Sequence, residues 1–307
     1  MHMPITISTD RLRVEMLCAD DTPVSHRFDR SCFITDVTLD GKHKFCVPEQ
    51  YDQSRVTSFG AGICAEFVWQ EISGDVRAGE KFPKFGTGLL TQIEDNAPYR
   101  MFADYELEAY PITAETGADF ARFCHDIPLC MDTGAKIYRE ASVRDNMLTI
   151  YTTIENTGAR VLQLAEYNHN FLSIDGLPVG PGYLLHIPFD GTLEKIAQCG
   201  FTQKSRGEVI PGLMLPQENK TIAWGKGMDG RTFFKETESP DILPMARYFW
   251  KLTHENSPAS VEETVSFAPR RFALWGIEHC ICPEVFVGIY VKPGEKQSWS
   301  RTWTFRA

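Results

Sequence analysis

EYNHNFLSIDGLPVGPGY, residues 166–183, sets one histidine, His169, between Asn168 and Asn170 and between the rings of Tyr167 and Phe171. It then closes on Pro178, Gly180, Pro181 and Gly182. Immediately upstream, LTIYTTIENTG (residues 148–158) alternates along its length and ends in Asn156-Thr157-Gly158, a turn signal. A strand, a turn and a polar histidine-bearing strand therefore follow one another, and they set the reading of the chain as a β protein.

Working outward, the same period-two pattern recurs. Residues 29–49 alternate through Cys32, Ile34, Asp36 and Thr38, turn at Asp40-Gly41 and resume at Lys44, which predicts a hairpin. Two glycine-containing runs follow, SFGAGICAEFVWQE (residues 58–71) and KFPKFGTGLL (residues 81–90); glycines inside strands mark bulges or a close approach of backbone to a ligand. YRMFADYELEAYPI (residues 99–112) separates an apolar from a polar face at period two, as for a sheet with one wet side. Residues 115–127, ETGADFARFCHDI, form the best candidate for a short helix, with an irregular loop as the alternative. Near the end, residues 270–305 read as an apolar strand, a Pro-Glu step, a second apolar strand, a Pro-Gly-Glu turn and a closing strand. In that last strand Trp299, Arg301, Trp303 and Phe305 share one face, which need not be wet because an arginine stacks on aromatic rings.

Composition narrows the class. At 307 residues, with 43% hydrophobic and 12% aromatic side chains, the chain can bury a large core, and no linker, repeat or low-complexity tract divides it; one domain over residues 1–307 is expected. No apolar run approaches the roughly 20 residues that cross a bilayer, and the first residues lack a secretory layout, so a cytoplasmic protein is expected. A net charge of −10 without a basic stripe disfavours nucleic acid and anionic membrane as partners, and a small neutral ligand fits better. The nine cysteines are scattered within apolar stretches and read as reduced thiols. Cys280 and Cys282 would share a strand face, but no second Cys or His pair stands at ligand spacing, and no metal is expected.

The strand, the Asn-containing turn and the Asn-His-aromatic segment, together with the carboxylate-bearing strand before a Pro-Gly-Glu turn, resemble the aldose 1-epimerase (galactose mutarotase) family and its hexose-6-phosphate mutarotase relatives. The resemblance implies a single large antiparallel β-sandwich with a sugar site on a concave sheet face. It also implies a catalytic histidine, His169, acting as acid, and a catalytic carboxylate acting as base. Two residues compete for the base: Glu278, in the apolar run WGIEHC, and Glu284, in the CPEVF step. Glu278 is favoured, because an unpaired carboxylate in an apolar strand costs several kcal/mol unless partnered. In the same reading Asn168, Lys84 and a tryptophan, Trp275 or Trp303, hold the sugar. Those relatives carry a further histidine where this chain has Lys84 and Phe85, leaving Lys81, Lys84 or Arg55 as polar substitutes. No cofactor is implied, and the expected assembly is a monomer or homodimer. The competing expectations are a carbohydrate-binding module without catalysis, and a mutarotase for a phosphorylated sugar or a uronate.

Overall fold

A strand that alternates apolar and polar residues buries one face only when a second layer covers it, and this chain supplies two such layers. The computed structural model describes residues 4–18, 25–51, 60–69, 72–187, 200–202, 205–206, 213–214, 221–224, 227–228, 232–235 and 249–307. The larger sheet runs from edge to edge as β1 (Ile5–Ser8), β2 (Leu12–Met16), β3 (Ile34–Leu39), β5 (Gly62–Val68), β13 (Leu162–Phe171), β23 (Cys280–Val291), β22 (Arg271–Ile277), β19 (Thr232–Lys235), β15 (Gly200–Thr202) and β16 (Ser205–Arg206), with β4 (His43–Lys44) paired to β3. The second sheet runs β17 (Leu213–Met214), β18 (Thr221–Trp224), β14 (Tyr183–His186), β20 (Trp250–His254), β21 (Ser260–Val265), β24 (Lys296–Arg306), β12 (Met147–Asn156), β11 (Thr133–Arg144), β10 (Phe120–Cys130) and β9 (Ile112–Thr116). A small sheet of β6 (Lys81–Lys84), β7 (Gly88–Thr91) and β8 (Leu107–Ala109) completes the pattern. Every pairing is antiparallel. This is the large antiparallel β-sandwich that the resemblance implied.

The two big sheets face each other through side chains of matched parity. Ile150, Leu148, Trp303 and Phe305 from the second sheet and Ile34, Ile63, Phe272 and Val285 from the first belong to one buried cluster. Each fully buried aliphatic or aromatic side chain contributes roughly 1.5–3 kcal/mol. Charged groups in this interior are linked in a network of opposite charges. Arg301 reaches across to Glu166 (2.9 Å) and to Glu263 (3.1 Å), while Arg139 meets Asp29 (3.2 Å) and Glu166 (3.4 Å). The Arg301 guanidinium also lies 4.9 Å from the centre of the Phe267 ring, so the face that carries it beside Trp299 and Trp303 is dry.

Three local expectations change. Residues 115–127 are not a helix: Ala121, Phe123, His125 and Ile127 alternate inward along β10, which is paired on both sides by β9 and β11. Pairing and burial at period two outweigh the weak helical pattern. Residues 99–106 are turn and irregular backbone rather than a strand, with Phe102 exposed and Tyr105 buried. The apolar run around Glu278 turns at Glu278-His279 to form the β22–β23 hairpin, and the Pro-Glu step lies inside β23. The expected turns at Asp40-Gly41 (φ 51° and 65°) and Gly294 (φ 78°) are present. At Gly62 (φ 50°) a side chain would collide with the Ile34 carbonyl, so this glycine admits a neighbouring strand rather than a ligand.

Pro283 breaks the larger sheet locally. Paired register between β13 and β23 stops at Tyr167–Phe286 and resumes at the isolated bridge Leu172–Ile281. A proline has no N–H to give a ladder, which is why it is rare in central strands. Asn170 compensates: its side-chain amide donates to the Pro283 carbonyl (2.6 Å), and its backbone N–H donates to Cys282 Sγ (3.2 Å).

Candidate functional site

Parity decides which side chains gather where the ladder is interrupted. Along β13, Glu166 and Asn170 point at the second sheet, as their contacts with Arg301 and Trp303 show. Tyr167, His169 and Phe171 therefore stand on the opposite, outer face. Glu66 and Cys64 on β5 and Glu284 and Cys282 on β23 share that face and flank the histidine, since β5 and β23 are the two neighbours of β13. The face is not wet. Arg27 and Phe28 lie over it, with Phe28 edge-on to the imidazole at 5.2 Å between ring centres.

His169 is bracketed by carboxylates and only 2% exposed. Its Nε2 lies 3.0 Å from Glu66 Oε2, and its Nδ1 lies 2.8 Å from Glu284 Oε1. The second contact is close but out of line for a hydrogen bond, so Nδ1 has no hydrogen-bond partner among the described residues. Burial alone pulls the imidazole pKa down; Glu284 and Glu66 outweigh it and hold the value above the ordinary histidine range. Phe171 stacks on the ring (5.1 Å, 4° between planes), and Trp275 of β22 stands edge-on to Phe171 at 5.7 Å.

Glu66 is the most heavily bonded group of the cluster. Tyr167 donates its hydroxyl to Oε2 at 2.8 Å, Arg27 Nε approaches the same oxygen at 3.3 Å, and Lys84 Nζ lies 3.5 Å from Oε1. Burial raises its pKa, but Lys84, His169 and Arg27 outweigh that and hold the carboxyl well below its usual range. Arg27 also donates to Glu49 (2.9 Å). Burial opposes its charge, yet Glu49 and Glu66 raise its pKa further. Lys84 donates a short bond to the Phe67 carbonyl, and burial lowers its pKa against the pull of Glu66. Two basic side chains, Arg27 and Lys84, and the imidazole of His169 thus face three carboxylates, Glu49, Glu66 and Glu284. Buried charge is tolerated on these terms.

The expected site residues divide. His169, Lys84, Glu284 and Trp275 are brought to one face, Trp275 half-buried at its margin. Glu278, the favoured base, is exposed in the hairpin turn, where its backbone carbonyl accepts from Val179 (2.9 Å); a turn position cannot present it to the imidazole. Asn168 is adjacent to His169 on the strand and therefore on the opposite face, its side chain buried and without a hydrogen bond among the described residues. Trp303 is in the inter-sheet core, donating to Asn170 Oδ1 (2.8 Å). Lys81 pairs with exposed Glu108, and Arg55 lies outside the described residues. Unforeseen members are Arg27, Glu49, Glu66, Tyr167 and Cys282. A ring nitrogen of His169, Cys282 Sγ and a Glu284 oxygen lie within 4.8 Å of one another, a donor set able to hold a metal ion.

Solved structures with this arrangement of sheets exist along the whole chain. A galactose mutarotase-like protein from Clostridium acetobutylicum superposes with a TM-score of 0.58 at 10% identity, over 98% of this chain and 94% of that one. The fold is the galactose mutarotase-like one. A galactose mutarotase related enzyme from Lactobacillus acidophilus gives 0.55 at 12% identity, covering 99% and 98% of the two chains. The GalM/aldose epimerase homologue from Caenorhabditis elegans gives 0.52 at 13% identity, covering 98% of each. Identities this low carry the galactose mutarotase-like fold and not an activity. No family model matches the chain, and no curated protein does. Among the described residues no helix is long and apolar enough to cross a membrane.

Proposed function

We propose that this galactose mutarotase-like chain is an aldose 1-epimerase, with His169 as the acid and Glu284 as the base. The observation that carries the reading is the 2.8 Å contact of the His169 imidazole, whose pKa its carboxylate neighbours raise, with a carboxylate from the neighbouring strand, on the outer face beside an aromatic wall. Glu284 takes the proton of the anomeric hydroxyl, and the imidazolium gives its proton to the ring oxygen as the bond from that oxygen to C1 breaks. Rotation of the open-chain aldehyde and reversal of both transfers closes the other anomer, with no net gain or loss of protons. Each well-placed group contributes roughly 10²–10⁴ in rate.

Glu284 suits the base better than Glu66, whose oxygens are already occupied by Tyr167, Arg27, Lys84 and His169. A sugar must part the His169–Glu284 pair to enter, and half-buried Trp275 at the margin supplies a ring of the kind that packs against the C–H side of a pyranose. The test is anomer equilibration of freshly dissolved α-glucose and α-galactose, followed by polarimetry or proton NMR. The wild-type chain should accelerate it, and His169→Ala should lose most of that acceleration. Absence of any acceleration over buffer across a broad panel of sugars removes the assignment; ligand titration then tests a binding role.

A further inference from the structure

Between His169, Cys282 and Glu284 there is a point that three different donor elements share. Cys282 Sγ lies 3.7 Å from Glu284 Oε1, that oxygen lies 2.8 Å from His169 Nδ1, and all three donors fall within 4.8 Å. We propose that this triad is a binding site for a thiophilic divalent cation, Zn2+ or its analogue Co2+, bound by His169 Nδ1, Cys282 Sγ and a Glu284 oxygen.

Four features support it beyond the presence of a cysteine. First, His169 Nδ1 is buried and lacks a hydrogen-bond partner among the described residues, although a Glu284 oxygen lies only 2.8 Å from it. Second, the opposite nitrogen, Nε2, is engaged by Glu66, which is itself fixed by Tyr167 and Arg27. A carboxylate behind the far nitrogen is how metal-bound histidines are oriented. Third, Cys282 Sγ accepts the Asn170 backbone N–H, which the interrupted ladder at Pro283 frees, while its thiol donates to Glu284 Oε1, so the sulfur already faces the carboxylate it would share an ion with. Fourth, three carboxylates, Glu49, Glu66 and Glu284, stand in this cluster and offset the charge of a +2 ion. Binding releases the thiol proton of Cys282, and any proton on His169 Nδ1 leaves with it, so M2+ plus Cys–SH gives the thiolate-bound ion and at least one released proton.

Tetrahedral zinc with bonds of about 2.0–2.3 Å spaces its ligand atoms roughly 3.3–3.6 Å apart, so side-chain adjustments of under about 1 Å suffice. A sulfur, an imidazole and a single carboxylate favour zinc or cobalt over Mg2+ and Ca2+, which take all-oxygen sites. Three protein donors leave a fourth position for water. The ion and the acid/base role exclude one another, because the ion occupies the nitrogen and the oxygen that would move protons.

The experiment uses the full chain, stripped with chelator, dialysed, and titrated with Co2+ by absorption and with Zn2+ by equilibrium dialysis with metal analysis. One ion per chain is expected, with a sulfur-to-cobalt charge-transfer band. Cys282→Ser should abolish that band and weaken zinc binding at least about 100-fold. Glu66→Gln should weaken it about 10–100-fold while keeping the band. Cys64→Ser, which alters a buried thiol on the same face that is not a ligand, should leave both unchanged. X-ray absorption of wild-type protein with zinc should show one sulfur in the coordination shell, which keeps the test independent of whether a variant folds. No saturable binding at one ion per chain, zinc without sulfur coordination, or a Cys282→Ser protein that binds as tightly as wild type would each overturn the site. None of these readouts needs a sugar, so they stand apart from the epimerase reading.

Discussion

Replacing Glu66 by glutamine keeps the shape of the side chain and removes one negative charge from the centre of the outer-face cluster. Arg27, Lys84 and His169 would then face only Glu49 and Glu284, leaving one unit of positive charge in a region where Glu66 is 1% exposed and Arg27 is 6% exposed. Removing one member of a buried ion pair costs roughly 3–5 kcal/mol. The amide of glutamine can still accept from the Tyr167 hydroxyl, which places the expectation near the lower end, about 3 kcal/mol. Urea unfolding followed by tryptophan fluorescence reads this as a lowered midpoint at unchanged slope. Adding Arg27→Met restores the balance of charge, so the double variant should cost about 1–3 kcal/mol less than the sum of the two single changes. A Glu66→Gln cost under about 1 kcal/mol, or strict additivity with Arg27→Met, would refute the view of the cluster as one electrostatic unit.

Glu284→Gln should cut the rate of anomer equilibration by about 10²–10⁴, whereas Glu278→Gln, an exposed turn change, should leave it within twofold; the reverse ranking in polarimetry would reinstate Glu278. Burial chiefly, with Arg139 and Arg30 adding to it against Asp29, lowers the His125 pKa from 6.5 to about 4. The unfolded chain therefore takes a proton below pH 6.5 that the folded chain refuses, and stability present above that pH drains away towards pH 4, by up to about 3 kcal/mol from this group. His125→Gln should flatten the fall by that amount in urea titrations at pH 7 and pH 4.5, and an unchanged slope would count against it. Gly62→Ala, at φ 50° and against the Ile34 carbonyl, should cost more than about 1 kcal/mol in the same assay, and a neutral effect would show that β3 and β5 can separate cheaply.

The strands were legible because side-chain parity is a local property. The alternation read in LTIYTTIENTG and in the closing Trp299-to-Phe305 face is the burial pattern of β12 and β24. Residues 115–127 misled because their apolar positions also fit a helical turn, and only the pairing with β9 and β11, which lies outside the segment, decides. The site was half legible. His169 stood out as a polar residue among aromatics, but Glu278 was overvalued because nothing in WGIEHC signals a hairpin turn at Glu278-His279. Asn168 could have been set aside from sequence, since neighbours on a strand cannot share a face once His169 is chosen. Glu66 carried the very signal used for Glu278, a carboxylate within an apolar run, GICAEFVW. Arg27 and Glu49 gave no local cue, because their meaning arises only when distant loops fold over the outer face.

What Pro283 does to the sheet has a lasting result for how this molecule can vary. Its ring nitrogen carries no hydrogen whatever the solvent, temperature or surrounding side chains, so the opening between β13 and β23 is written into the covalent chain rather than balanced by weak forces. Substitutions around it can therefore re-equip the opening with other acids, bases or ligands without sealing it, which makes this one strand position the fixed point about which new chemistry on the same scaffold could be assembled.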